Sequence, residues 1–407
     1  LGVDETTDTP PEEDGRRLRY VFDEGHHVFD AADSAFAAYM SAQEAAELRH
    51  WVRGAESLEL VAPRRQLLPM LGLGGSIATP AAGITAEVMV VASFEELTQR
   101  ASEAKGKIVL YDAEWRDYGY NGSFRRLGAI AAAKVGAVAS LARAAGPYSM
   151  RTPHTGSMSY DSTVQKIPHA SVTSEDAMMM RRMINRGDKV RVTLKMSAKM
   201  LPDAQSHNVM GELRGREKPE EIVVMGGHID SWDVGQGAMD DAGGVVIAWE
   251  AIRLLKKLGL TPRRTIRAVG WTNEENGMRG GNAYRDVHQN EVHQLAIESD
   301  GGVFSPLGFG FTGSPAARAI ITSIGTLLNP INAGKIEASG GGADIGPIMA
   351  TGVPGMGLNV DGTRYFWFHH TDADTPDKLD RAEVQRCVAA MAVAKSCAKS
   401  CSTTRRN

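Results

Sequence analysis

Five short stretches of the chain carry side chains able to hold a metal ion and move a proton. In IVVMGGHID an apolar run ends at His228 and Asp230. An imidazole closing a buried strand needs a partner, and a carboxylate two residues on can accept its second ring N–H and fix the tautomer. Next comes the pair Asp240-Asp241. Aspartate caps helices, but one carboxylate can also bridge two cations with its two oxygens. WTNEENG sets Glu274 and Glu275 behind the apolar strand TIRAVGWT. Adjacent side chains point apart, so one can hold metal while the other faces substrate as general base. Asp300, in IESDGG, is followed by glycines that permit close approach. In FHHTDADT either His369 or His370 could be the ligand.

Taken singly, these are a strand-end histidine, a helix cap and solvated acids. Taken together, two histidines and the carboxylates Asp240, Glu275 and Asp300 suit two zinc ions about 3.5–4 Å apart. Each ion would have one histidine and one acid, with one aspartate shared and one glutamate left as base. Thiolates are missing from the set. The cysteines, Cys387, Cys397 and Cys401, lie near the C-terminus, which disfavours a structural zinc site. They leave room only for free thiols or a local Cys397–Cys401 bridge.

The surrounding pattern must place these groups. From Ile222 onward, strand-like and helix-like segments alternate: IVVMGGH, DAGGVVIAWEAIRLLKKLG, TIRAVGWT, MRGGNAYRDVH, HQLAIESD, SPAARAIITSIGTLL and GVPGMGLNV. This predicts an α/β fold with a mostly parallel central sheet flanked by helices. Sites in such sheets gather at the carboxyl ends of the strands, where His228, Glu274, Glu275 and Asp300 fall. Upstream, residues 1–17 read as a polar tail and residues 31–52 as a helix. LGLGGSIATPAAGITAEV, from Leu71, reads as a turn-rich linker. No Lys-Ser/Thr follows its glycines and Pro80 blocks a helix, so it is not a phosphate loop. The strands AEVMVVAS, GKIVLYD, IPHASVT and KVRVTLKMSA, with an Ala-rich helix between, predict a compact α/β insertion. The expected division is 1–70 as the start of the catalytic domain, 71–203 as the insertion and 204–407 as the main catalytic part.

The 407 residues are 43% hydrophobic and 23% charged, ordinary for a globular protein. A net charge of −4 without a long basic run argues against nucleic acid. No apolar window of about 18 residues suggests a membrane span. The polar N-terminus does not read as a signal peptide.

The order of these segments resembles peptidase family M28, whose members are co-catalytic zinc peptidases. GHIDSWDVGQGAMDDAGG, WTNEENG, ESDGG, FTGS, GVPG and FHHTDADT carry the resemblance. ITAEVMVVASFEEL, ASEAKGKIVLYD, AAKVGAVASL and PHTG extend it across the insertion, over residues 68–380 in all. The resemblance implies a zinc exopeptidase fold with a protease-associated-like insertion that shapes access to the cleft. It implies one zinc on His228 and Asp300, a second on Glu275 and His370, and Asp240 between them. His370 is chosen because the family's ligand stands four residues before the Asp-Thr pair, here Asp374-Thr375. His369 then falls where relatives steady the tetrahedral intermediate, Glu274 matches the general base, and Asp230 matches the group that orients His228. Asp344, in GGGADIGP, is a candidate for lining the substrate pocket. The implied reaction is hydrolysis of short peptides, chiefly dipeptides with free termini, by a metal-bound hydroxide. A homodimer and a secreted, periplasmic or lysosomal location, with a leader removed, are also implied. The first 60 residues and KSCAKSCSTTRRN depart from the family pattern.

Two rival activities share this architecture. An aminopeptidase would take longer peptides. A glutaminyl cyclase would run on one zinc, which the full set of five ligands disfavours.

Overall fold

The computed structural model describes residues 56–148 and 150–394. The expected tail over 1–17, the expected helix over 31–52, Cys397 and Cys401 lie outside them. All described residues belong to one compact unit, built on two sheets.

The N-terminal sheet contains β1 (Ser57–Ala62), β2 (Gln66–Leu68), β3 (Met70–Gly72), β4 (Ile84–Val91), β5 (Ile108–Tyr111), β6 (Ala139–Arg143), β7 (His169–Val172) and β8 (Arg191–Lys195). Its strand order is β2-β1-β8-β4-β5-β6-β7-β3. Strands β4 to β7 run parallel, with antiparallel strands on both sides. Period-two alternation splits its side chains. Val88, Val90, Ile108 and Leu110 enter one core, and Met89, Val91, Val109 and Tyr111 enter the other. The sheet therefore starts at Ser57, ahead of the boundary expected at 71. Segments 57–72 are short and interrupted by Pro63, Arg64 and Arg65, so periodicity alone gives no strand there.

Helices α1 (Phe94–Gln99), α2 (Tyr118–Lys134) and α3 (Ser174–Asn185) are each capped by a side chain, from Ser93, Asp117 and Thr173. Within α2, Asn121 opens a glycosylation-type sequon, but it is buried. Its side chain accepts from Arg116 N and donates to Glu114 O.

The C-terminal sheet comprises β9 (Val209–Leu213), β10 (Lys218–His228), β11 (Arg264–Trp271), β12 (Val292–Glu298), β13 (Pro306–Thr312), β14 (Lys335–Glu337) and β15 (Gly355–Val360). The order is β14-β13-β15-β12-β10-β11-β9. The run β15-β12-β10-β11 is parallel throughout. Antiparallel pairs join β9 to β11 and β13 to β15. Helices α4 (Gly243–Lys257), α5 (Arg279–Val287), α6 (Pro315–Gly325) and α7 (Arg381–Ala394) complete the layers. The central strand β10 is buried on both faces. Val223 and Met225 join one core with Ile247, Phe304 and Met391, while Ile222 and Val224 join the other with Trp271, Tyr284 and Ile345. Two glycines precede the last residue of this strand for steric reasons. A Cβ at Gly226 would strike Val269 O, and one at Gly227 would strike Asp241 Oδ2. Cys387 is buried in α7 and donates to Phe304 O.

Candidate metal centre

Three adjacent parallel strands, β12, β10 and β11, deliver the first groups from their carboxyl ends. His228 is the last residue of β10, Asp300 lies two residues beyond β12, and Glu274 and Glu275 lie just beyond β11. Asp240 comes from the turn leading into α4, and His369 and His370 from the loop before α7. Beside an all-imidazole group of His154, His369 and His370, the described residues form two donor groups that include carboxylates. One joins His228, Asp240 and Asp300, and the other joins Asp240, Glu275 and His370. Asp240 belongs to both. Its Oδ1 lies 3.1 Å from His228 Nε2 and its Oδ2 lies 3.2 Å from His370 Nε2.

The wiring around these groups holds them in place. The main-chain carbonyl of Asp230 takes the hydrogen of His228 Nδ1 at 2.8 Å. The Asp230 carboxylate, expected to do this, is 3.9 Å from that nitrogen. Instead its oxygens accept from Glu274 N at 3.1 Å and Glu275 N at 3.3 Å. Asp230 thus supports the histidine through its backbone and the glutamates through its side chain. Asp241 accepts from His228 N and Gly244 N. Asp374 accepts from Met239 N and Asp240 N, so Asp240 is held from behind. Trp232 Nε1 donates to Glu275 Oε2 at 2.7 Å, and His370 Nε2 lies 2.9 Å from the same oxygen.

The N-terminal sheet unit reaches this centre. Thr155 N donates to His370 O, and Thr155 O lies 3.1 Å from His370 Nδ1. Arg125 Nη1 bonds Thr155 O at 2.9 Å and lies 3.3 Å from His370 Nδ1. His370 has φ 58°, a left-handed conformation uncommon for a non-glycine residue. This clamp supports it. The adjacent ring, His369, stacks on His370 and meets His154 Nε2 through its Nδ1.

The donor set fits a metal. His228 gives its Nδ1 hydrogen to a carbonyl, which only accepts, so the Nε2 lone pair faces Asp240 Oδ1 and, at 3.3 Å, Asp300 Oδ1. A lone pair against two carboxylates calls for a cation or a second proton between them. Asp240 Oδ2, Glu275 Oε1 and Asp300 Oδ1 are buried without a hydrogen-bond partner. The electrostatics agree. Against burial, Asp240 and Asp300 raise the His228 pKa far above its usual range. Against burial, Tyr118, Asp240 and Glu275 hold His370 at about 10. The acids thus favour positive charge at His228 and His370, whereas burial, with the neighbouring imidazoles, lowers His369 and His154 well below 6.5.

Glu274 is in neither donor group. Burial, reinforced by the negative charge of Asp300, pushes its carboxyl up to about 7, a value suited to proton transfer near neutrality. Asp344 is also outside both groups. It is 2% exposed, both its oxygens lack a hydrogen-bond partner, and burial pushes it up to about 8. Arg125, Trp232 and His154 are not among the residues singled out from sequence, and Asp241 is met there only as the neighbour of Asp240. The string PHTG contains His154 but carries no local sign of its partner 215 residues away.

Imidazole and carboxylate donors, gathered without thiolates at the carboxyl ends of a parallel sheet, are the donor set of a metal centre. Residues 208–394 match peptidase family M28. The chain is 50% identical over 352 residues to carboxypeptidase Q of Xenopus laevis, covering 86% of this chain and 75% of that protein. It is 47% identical to human carboxypeptidase Q over the same shares. A crystal structure of a peptidase M28 precursor from Shewanella amazonensis superposes with a TM-score of 0.83 at 34% identity, covering 87% of this chain and 83% of that one. The fold, at a TM-score of 0.59 and 20% identity, is also that of a Bacillus subtilis zinc aminopeptidase, over 86% of each chain. The chain belongs to peptidase family M28 and is a zinc metallopeptidase.

Proposed function

We propose that this peptidase is a co-catalytic two-zinc exopeptidase acting on short peptides, chiefly dipeptides with both termini free. The observation that carries the reading is Asp240, which turns one carboxylate oxygen to each of the two donor groups. His228 and Asp300 would hold one zinc, Glu275 and His370 the other, and Asp240 both. When bound, zinc lowers the pKa of water and polarises a carbonyl oxygen. Glu274 takes the proton of the attacking water and passes it to the leaving amine. His369 Nε2–H donates to the oxygen on which charge develops. Asp230 holds the Glu274 and Glu275 amides, and so their spacing, through both steps. Asp344 lines the substrate pocket. The N-terminal sheet unit, which we read as protease-associated-like, closes over His369 and His370 and restricts access.

The family resemblance further leads us to propose a homodimer and a secreted, periplasmic or lysosomal setting. No helix among the described residues is long and apolar enough to cross a membrane. A panel of free dipeptides, N-blocked and C-amidated dipeptides and longer peptides tests the substrate class. Preference for free dipeptides is expected. Equal turnover of peptides of four or more residues would favour an aminopeptidase.

A further inference from the structure

Three imidazoles crowd Asp240, yet they are not equivalent. His228 and His370 each have a backbone carbonyl, of Asp230 and of Thr155, as the nearest hydrogen-bond partner of Nδ1. That partner takes the Nδ1 hydrogen and leaves Nε2 as a lone pair, the state a metal ligand needs. His369 differs. Its Nε2 lies 3.3 Å from Asp240 Oδ2, but its Nδ1 meets another imidazole, His154 Nε2, at 3.0 Å. An imidazole can donate where a carbonyl cannot.

We propose that His154 is a positioning residue. Its Nε2–H donates to His369 Nδ1 and fixes His369 in the tautomer that presents Nε2–H to the reacting carbonyl oxygen. This rests on the reading of His369 as the oxyanion donor. A His–His hydrogen bond needs one donor and one acceptor, and two observations set its direction. Asp240 Oδ2 lies 3.3 Å from His369 Nε2, and its negative charge repels a lone pair there and favours a hydrogen on that nitrogen. His154 Nδ1 is buried without a partner, which is tolerable for a lone pair but rare for a buried N–H. With the reverse direction, both ends of the pair would be wrong: a buried N–H without an acceptor on His154, and a lone pair against the carboxylate on His369.

The surroundings fix His154 for this task. It is 2% exposed, and its backbone N–H donates to Ser171 Oγ on β7. The next residue, Thr155, is clamped to His370. Tyr118 stands edge-on to the His369 ring and Phe366 flanks it, so the ring has little freedom to turn. The N-terminal sheet unit thereby completes the catalytic centre as well as covering it.

The test joins nitrogen NMR of ¹⁵N-histidine protein with kinetics on a dipeptide. In metal-free wild type, the His369 signals, assigned through His369→Ala, should show a protonated Nε2 and a bare Nδ1. In His154→Phe the bare Nδ1 loses its donor and its resonance should shift. That variant should keep the zinc content and a KM within about twofold, while kcat falls about 10–100-fold. In His154→Gln, whose amide N–H can stand near the lost Nε2–H, most of that kcat should return. In a His369→Ala background, His154→Phe should cost less than about twofold. Additive losses, a protonated Nδ1 on His369, or loss of one zinc on removing His154 would overturn the proposal. The last outcome would mark His154, His369 and His370 as a metal site. Should His154→Phe fail to fold, the wild-type tautomer and His154→Gln still decide. Full activity in His369→Ala would refute the oxyanion role and leave the tautomer result standing.

Discussion

Asp230 Oδ1 accepts the amide hydrogen of Glu274 at 3.1 Å, while its Oδ2 accepts that of Glu275 at 3.3 Å. The residue beside the first histidine therefore sets the position of the proposed base and of a proposed ligand on the neighbouring strand end. Removing both acceptors in Asp230→Ala should lower kcat about 10–100-fold with the fold retained. Asp230→Asn keeps one acceptor oxygen and should lose less. Steady-state kinetics beside far-UV circular dichroism checks the order of the two variants. Equal activity in both and wild type would remove Asp230 from the mechanism.

Glu274 stands apart from the donor groups, so its amide isostere should leave them intact. Glu274→Gln is expected to bind zinc as wild type does and to lose about 10²–10⁴-fold in kcat. Metal analysis and turnover on one sample separate a missing base from a missing metal. Near-full turnover would assign the base elsewhere.

Stability should depend on pH through buried histidines that belong to none of the donor groups. His169 contacts Ser140 Oγ and Phe124 O, and burial lowers its pKa below the ordinary 6.5. Burial also lowers His293, to about 4. The unfolded chain binds more protons than the folded one between these values and 6.5, so unfolding free energy rises with pH across that window. Their contribution is fully present above about pH 6.5 and is lost as pH falls, for His293 toward pH 4. Urea midpoints from pH 4.5 to 7 should rise less steeply in His293→Gln than in wild type. Parallel slopes would contradict the assignment.

Gly227 leaves the space that Asp241 occupies against the end of β10. A methyl group there must displace the carboxylate that bonds His228 N. Gly227→Ala should destabilise the protein by about 1–3 kcal/mol, readable from chemical denaturation. Unchanged stability would show that the turn yields freely.

The strand ends were legible because each ends an apolar run with glycine or an acid nearby: His228 after IVVMGG, Glu274 and Glu275 after AVGWT, Asp300 after AIES. Alternation of strands and helices likewise gave the parallel core β15-β12-β10-β11. What stayed hidden depends on backbone direction or distant sequence. Only the fold turns the His228 ring toward the Asp230 carbonyl and the Asp230 carboxylate toward the next strand end. Residues alone left His369 and His370 open. The left-handed turn at His370 and its pairing with Thr155 distinguish them. Residues 57–72 escaped notice because edge strands broken by Pro63 and two arginines carry no clear period.

The central claim is that Asp240 joins two metal sites. Zinc per chain, measured by native mass spectrometry on wild type and Asp240→Ala, tests it most directly. Two zinc ions are expected in wild type and fewer than one in the variant, because both donor groups lose their common member. One zinc in wild type, or two retained without Asp240, would contradict the account.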